Sequence, residues 1–157
     1  MSKYIFVVKG EKPSSRGDRR SARSVLEARF KLGIWPLNLR TPHQQELNAG
    51  DEVLFYVAGS GDPDRYHFIA RAEVSGPRVR SARRWHELPA WLGTQGPPLY
   101  DVPLRSMIRL AQPISIKPLI RQLSFICNKT RWGTSLQGGV RRISNEEFTL
   151  ILNDARD

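Results

Sequence analysis

The chain has 157 residues, is 39% hydrophobic and holds four Trp, four Tyr and six Phe, which fits one globular domain spanning residues 1–157 and excludes a disordered polyelectrolyte. Its formal charge of +10 points toward anionic partners, the alternative being a solubilising surface charge with no partner. One cysteine, Cys127, excludes an internal disulfide framework, so a reducing cytoplasmic setting is expected, with Cys127 as a small core residue.

The apolar runs are strand-sized, too short to cross a bilayer. The opening MSKYIFVV lacks the apolar stretch and cleavage site of a signal peptide. Charge is unevenly placed. Residues 1–40 carry ten Lys/Arg against three acids and residues 78–142 carry twelve against two, whereas residues 41–77 carry two against six. If folding joins the two basic blocks, they form one face suited to phosphates. A basic amphipathic helix with an aromatic apolar face is not evident, so no membrane partner is expected.

In chain order, KYIFVVKG reads as a first strand ended by glycine, and EKPSSRGDRRS as a loop. Ser21 or Ser24 caps a predicted helix over residues 22–32, with Val25, Leu26, Arg29 and Phe30 on one face and Gly33 as the stop. IWPLN follows as a short extended piece, because a residue before proline is pushed out of the helical region. TPHQQEL predicts a helical turn capped by Thr41, with Pro42 in its first position. AGDEVLFYVAG and YHFIARAEVSG pair as a hairpin across GSGDPD. PRVRSARRWHELPAWLGTQGPP reads as irregular, and YDVPLRSMIRLAQPISI as one long strand or two short ones, with Pro103 and Pro113 at edges or ends. KPLIRQL is a short helix, NKTRWGTSLQGG a loop, and SNEEFTLILND a helix capped by Ser144 with Glu147 in the capping box. Strands outnumber helices without βαβ alternation. The expected class is α+β: a small, mostly antiparallel β-barrel with short flanking helices.

Three landmarks stand in order: IFVVK with its helix and GIWPLN, then GDEVLFYVAGSG with YHFIARAEV, then IKPLIRQLSFICNKTRWGTSLQGGVRRISNEEFTLI. Together they resemble the EVE domain, a PUA-like fold related to the YTH readers of methylated adenine. The likeness runs from about Tyr4 to Leu152, and its most specific part is the C-terminal block, where F-x-x-NK-x-R-W precedes a glycine pair and R-x-I-S-x-x-E-F. The resemblance implies a PUA-like barrel with an aromatic pocket for a modified base, methylated or hydroxymethylated, in DNA or RNA. It implies reading without catalysis. No cofactor is expected, and because a lone reader usually needs an effector to have a consequence, a separate protein such as a nuclease is an expected partner.

By that likeness Trp35, in GIWPLN, falls where the related readers contribute a cage tryptophan. It serves there as a cage wall or else plugs the barrel end. Trp132, Trp85, Phe55 and Tyr56 compete for the other walls. Lys9 and Gly10 follow the first strand, where related readers approach the base edge, and Ser60 and Gly61 in the hairpin loop are comparable. The predicted phosphate contacts are Arg16, Arg19, Arg20, Arg23, Arg83, Arg84, Lys129, Arg131, Arg141 and Arg142. Arg131 can equally lie over Trp132 and leave it structural. Trp85 and Trp91 are either a lid over a bound strand or loop packing.

Enzymatic readings lack motifs. No Walker A loop, G-x-S-x-G or zinc-deaminase signature occurs. The pair His43 and Glu46 alone does not make a metal site. Two alternatives stand beside the reader: a nucleobase-sensing adaptor, and a metal-free ribonuclease using His43 or His86.

Overall fold

A computed structural model describes residues 1–10, 21–38, 40–59, 61–81, 100–136 and 138–154, without the side chains of Thr134 and Asp154. Seven strands are found among these residues: β1 (Lys3–Lys9), β2 (Ile34–Leu37), β3 (Glu52–Ala58), β4 (His67–Val74), β5 (Val79–Arg80), β6 (Tyr100–Ser115) and β7 (Val140–Ile143). They join in the order β2-β6-β4-β3-β1-β7, with β5 added to β6. β1 and β3 run parallel, and every other pair is antiparallel. β2 and β7 end the path without pairing to each other, so the sheet is a curled half-barrel within the expected α+β class.

The curl has a local cause. β6 has 16 residues, which drawn straight would reach about 50 Å, against about 40 Å across for a chain of this size. It bends instead. The register with β4 shifts between Phe68 and Ala70 and again between Arg71 and Glu73, and Ser106 on β6 takes φ 51°. Such irregularities bend and twist a strand. The N-terminal part of β6 can therefore leave β4 and pair with β2 and β5.

Alternation along the central strands creates two cores. Tyr4, Phe6 and Val8 of β1 join Val53, Phe55 and Val57 of β3 in a cluster under helix α1 (Ala22–Leu32), whose Val25, Leu26 and Phe30 are buried there. Ile5 of β1 joins Leu54 and Tyr56 of β3 on the other face. That face is covered by Leu119 and Leu123 of the turn around the 3-10 helix Lys117–Gln122, by Phe125 and Ile126, and by Phe148 and Ile151 of helix α2 (Asn145–Asp154).

The caps follow the sequence. The hydroxyl of Ser21 accepts from the Ser24 amide at 3.1 Å, and Gly33 closes α1 at φ 68°, its N–H donating to the carbonyls of Arg29 and Phe30. Only glycine takes that conformation without a side-chain penalty. Ser144 and Glu147 form the predicted capping box, with both reciprocal bonds at 3.0 Å. The second oxygen of Glu147 accepts the Phe125 N–H at 3.1 Å and so ties α2 to the preceding turn.

Several expectations need correction. The helical turn expected over residues 41–47 is present only as a short 3-10 turn, and Thr41 does not cap it. The Thr41 hydroxyl turns backward to accept the Asn38 N–H at 3.2 Å, His43 sits at φ 60°, and only a 3-10 turn, Gln44–Glu46, follows. The buried amide of Gln44 donates to the carbonyls of Asn38 and Thr41, fixing that turn instead. The loop expected over residues 128–139 contains a 3-10 segment, Trp132–Leu136, and β5 lies in a stretch read as irregular. β7 had no counterpart in the reading. Cys127 is exposed rather than buried, because Phe125 and Ile126 take the inward positions before it.

Two predictions follow from the C-terminal ties. Burial disfavours the Glu147 carboxylate, yet the donors on Ser144 and Phe125 outweigh it and hold its pKa below the usual range. A depressed folded-state value stabilises above the unfolded value, about 4.3, and that gain disappears as pH falls through the lower folded value. Glu147→Gln should therefore cost about 1–3 kcal/mol near neutrality, and urea titrations should show the gap to wild type closing below about pH 4.3. The Lys129 ammonium donates to the carbonyls of Ile120 and Leu123 at 3.0 and 2.9 Å. Lys129→Ala should lose about 1–3 kcal/mol in the same assay, whereas Arg121→Ala on the neighbouring exposed surface should stay within about 0.5 kcal/mol.

Candidate nucleic-acid interface

The predicted pocket residues divide between the two faces of the sheet. Trp35 of β2 pairs with Val102 of β6 and is 3% exposed. Its indole lies 4.8 Å from Phe55 and 6.0 Å from Phe6, centroid to centroid, and the Arg29 guanidinium covers it at 4.3 Å. Phe30 meets Phe55 edge-on at 5.1 Å. These rings hold one another in orientation on the α1 face, an arrangement favoured by the aromatic quadrupole.

Tyr56, next to Phe55 along β3, points the opposite way. It packs on Phe68 at 5.3 Å, and burial, with Tyr66 adding to it, pushes its phenol pKa well up. Trp132 belongs to this second face, half-buried, with its ring 5.1 Å from Tyr66 and nearly perpendicular to it. Lys9 continues the alternation of Ile5 and Val7 and is exposed at the end of β1 on the same side, followed by half-buried Gly10. One base therefore cannot be walled by Trp35 and Phe55 together with Tyr56 and Trp132. Trp85, Trp91 and Ser60 lie outside the described residues.

The cations are similarly divided. Arg16, Arg19, Arg20, Arg83 and Arg84, and the histidine His86, lie outside the described residues. Arg23 forks onto Asp64 at 3.1 and 3.3 Å. Lys129 closes a turn, as described above. Arg141 and Arg142 are neighbours on β7 and so face opposite ways: Arg141 reaches the ring and carbonyl of Phe125, while Arg142 donates to the Ser2 hydroxyl and lies 3.8 Å from Glu46. Arg131 is exposed. Further along, Lys3 pairs with Glu52, Arg105 with Glu73 and Arg109 with Glu27. Much of the positive charge is thus already balanced locally.

Three residues that the sequence reading did not single out complete the second face. The Arg65 guanidinium lies 4.2 Å from the Tyr66 ring centroid and the Lys117 ammonium 4.8 Å from it. Tyr66 itself stands at φ 70°. The DRYHF stretch contains an aromatic beside a cation, a signal of sorts, but the backbone angle that projects Tyr66 is not written in residue types. The opposite end of the loop has another role: Asp62 accepts the first amide of α1, from Ala22, at 2.7 Å. A carboxylate there opposes the positive end of the helix dipole.

His43 contacts Glu46 at 2.9 Å, and among the described residues no three of His, Cys, Asp and Glu gather where a metal could bind. No described helix is long and apolar enough to cross a membrane.

The sequence matches the EVE domain over residues 15–154. No curated protein matches it significantly. Solved structures do. Human THYN1, in complex with 5-methylcytosine-containing DNA, aligns with a TM-score of 0.64 at 13% identity, covering 100% of this chain and 99% of the other. A Pseudomonas putida protein aligns at 0.60 and 15% identity, covering 98% and 99%. The YTH domain of Zygosaccharomyces rouxii MRB1, in complex with N6-methyladenosine RNA, aligns at 0.59 and 17% identity, covering 98% and 87%. At these identities the structural likeness establishes the shared PUA-like fold, and the match over residues 15–154 establishes the family: the chain is a member of the EVE domain family.

Proposed function

We propose that this protein is a non-catalytic nucleic-acid-binding domain that recognises a modified base, methylated or hydroxymethylated, and passes the signal to a separate effector such as a nuclease. The observation that carries the reading is the immobilised indole of Trp35, braced by Phe55 and Phe6 and capped by the Arg29 guanidinium. Support comes from the fold, since THYN1 and the MRB1 YTH domain were solved with a methylated base in DNA and RNA respectively.

The exchange required is energetically open. Stacking a base on an aromatic ring is worth about 1–3 kcal/mol, and a cation–π contact about 0.5–2 kcal/mol. An incoming base would take the place of Arg29 over the indole, exchanging one contact with the ring for another. A ring already held by its neighbours loses no rotamer freedom on binding, which preserves the stacking gain. Phe55, in contact with Trp35, is the second candidate wall, while Lys9 and Gly10 on the far side of β1 are less suited to the same pocket.

The test is a binding panel of methylated, hydroxymethylated and plain cytosine and adenine in DNA and RNA at two salt concentrations. Binding should weaken with salt, and one modified strand should bind about 10-fold or more tighter than its plain counterpart. Trp35→Ala should lose this preference but also cost about 3–5 kcal/mol of stability, so Trp35→Phe, which keeps a ring in the core, should be compared: a folded protein with a reduced preference is expected. Equal affinity of wild type for every plain and modified strand overturns the proposal. Salt-insensitive saturation by a free nucleoside would identify a nucleobase sensor instead, and strand cleavage abolished by His43→Ala or His86→Ala would identify a ribonuclease.

A further inference from the structure

The second face of the sheet carries a feature that a base pocket at Trp35 does not use. We infer that Tyr66 and Trp132, with Arg65 and Lys117, form a separate stacking surface for an unmodified nucleotide of a single strand, an inference that rests on the nucleic-acid reading above.

Four observations support it. The rings of Tyr66 and Trp132 are half-buried, 5.1 Å apart, and packed against the apolar cluster that contains Tyr56 and Phe68, so they are partly accessible yet supported from beneath. The sheet itself separates them from Trp35 and Phe55, which lie in the other core. A second ring pair therefore serves a second nucleotide or none.

Tyr66 is held in the left-handed region at φ 70°, an unfavourable setting for a bulky residue. It is fixed there by its own N–H to the Val57 carbonyl at 3.0 Å and by the Ile116 N–H to its carbonyl at 2.9 Å. Strain of this sort, locked in by the surrounding backbone, is commonest where a side chain must be presented.

The two cations over Tyr66 are not held in ion pairs among the described residues, unlike several cations elsewhere in the molecule. Lys3, Arg23, Arg105 and Arg109 all have carboxylate partners. Among the described residues neither Arg65 nor Lys117 has one, although both are exposed. Unneutralised charge beside aromatic rings suits a strand that offers alternating phosphates and flat bases. Every base has a π-face, so such a surface adds affinity without reading identity.

The experiment uses the full chain and two single-stranded oligonucleotides of the same sequence, one plain and one carrying the modified base preferred in the panel. Trp132→Leu and Tyr66→Leu should each weaken binding of both strands by the same factor, about 5- to 10-fold, leaving the modified-to-plain ratio unchanged. Lys117→Gln, an exposed change with no folding risk, should lower the slope of log affinity against log salt by about 1. Trp35→Phe should do the converse, changing the ratio.

If Trp132→Leu and Lys117→Gln bind both strands as wild type does, the surface is not used, even though a retained preference for the modified strand leaves the base-pocket reading intact. A change in the ratio on Trp132→Leu would place Trp132 in the base pocket and also overturn the inference. If wild type binds neither strand, both readings fall. Should a basic-patch-binding acidic peptide displace no oligonucleotide yet bind Lys117-dependently, the face serves a protein partner instead.

Discussion

The parallel pairing of β1 with β3 is the constraint on which the molecule depends. Its register aligns Tyr4 with Val53, Ile5 with Leu54 and Phe6 with Phe55, so matching side chains of the two strands fall on the same side. With a two-residue period, the pair sorts its buried residues into one of two cores. A slip of one residue would exchange the two sets. It would then offer Tyr56 to α1 and Phe55 to α2, and neither aromatic group would survive. The pairing is secured from both sides: β4 holds β3, β7 holds β1, and few main-chain groups of the central strands are left to water.

The loop between β3 and β4 links the two faces. At one end Asp62 and Asp64 secure the first turn of α1 through Ala22 and Arg23. At the other end Tyr66 projects on the opposite side under Arg65 and Lys117. Among the described residues Asp62 and Glu147 sit at helix ends, and Glu27, Glu52, Asp64 and Glu73 are held in ion pairs. The charge of +10 is a net figure, 25 Lys/Arg against 15 Asp/Glu, so exposed pairs such as Arg105 with Glu73 leave it unchanged, and each such pair adds little stability.

Much of this was legible where chemistry is local. Ser21 and Gly33 delimit α1, Ser144 and Glu147 open α2, and alternating apolar residues define β3 and β4, each with an outcome that depends on a few adjacent side chains. What failed depended on distant partners. β5 is two exposed residues that become a strand only because β6 passes beside them, and β7 sets two arginines between its apolar ends, which leaves no burial pattern to read. Thr41 looked like a cap because its own neighbours suited one, yet the hydroxyl found Asn38 behind it. The carbonyls of Ile120, Leu123 and Phe125 that engage Lys129 and Arg141 were likewise not legible, because folding brings them near. Residue type announces that a group can donate. It does not say what reaches it first.

For the reader proposed above, the division into two faces would bear on how binding could be both selective and tight. A methyl group fitted into an apolar pocket supplies about 1–3 kcal/mol of discrimination, far short of the roughly 8 kcal/mol that micromolar binding requires. The remainder has to come from contacts indifferent to the modification: phosphates met by cations, and ordinary bases laid on rings. Placing those contacts beside the pocket would let them compete with it for the same nucleotide. Placing them across the sheet, as Tyr66 and Trp132 are placed relative to Trp35, would under the proposal assign affinity and selectivity to different nucleotides of one strand, so that either could vary in sequence without disturbing the other.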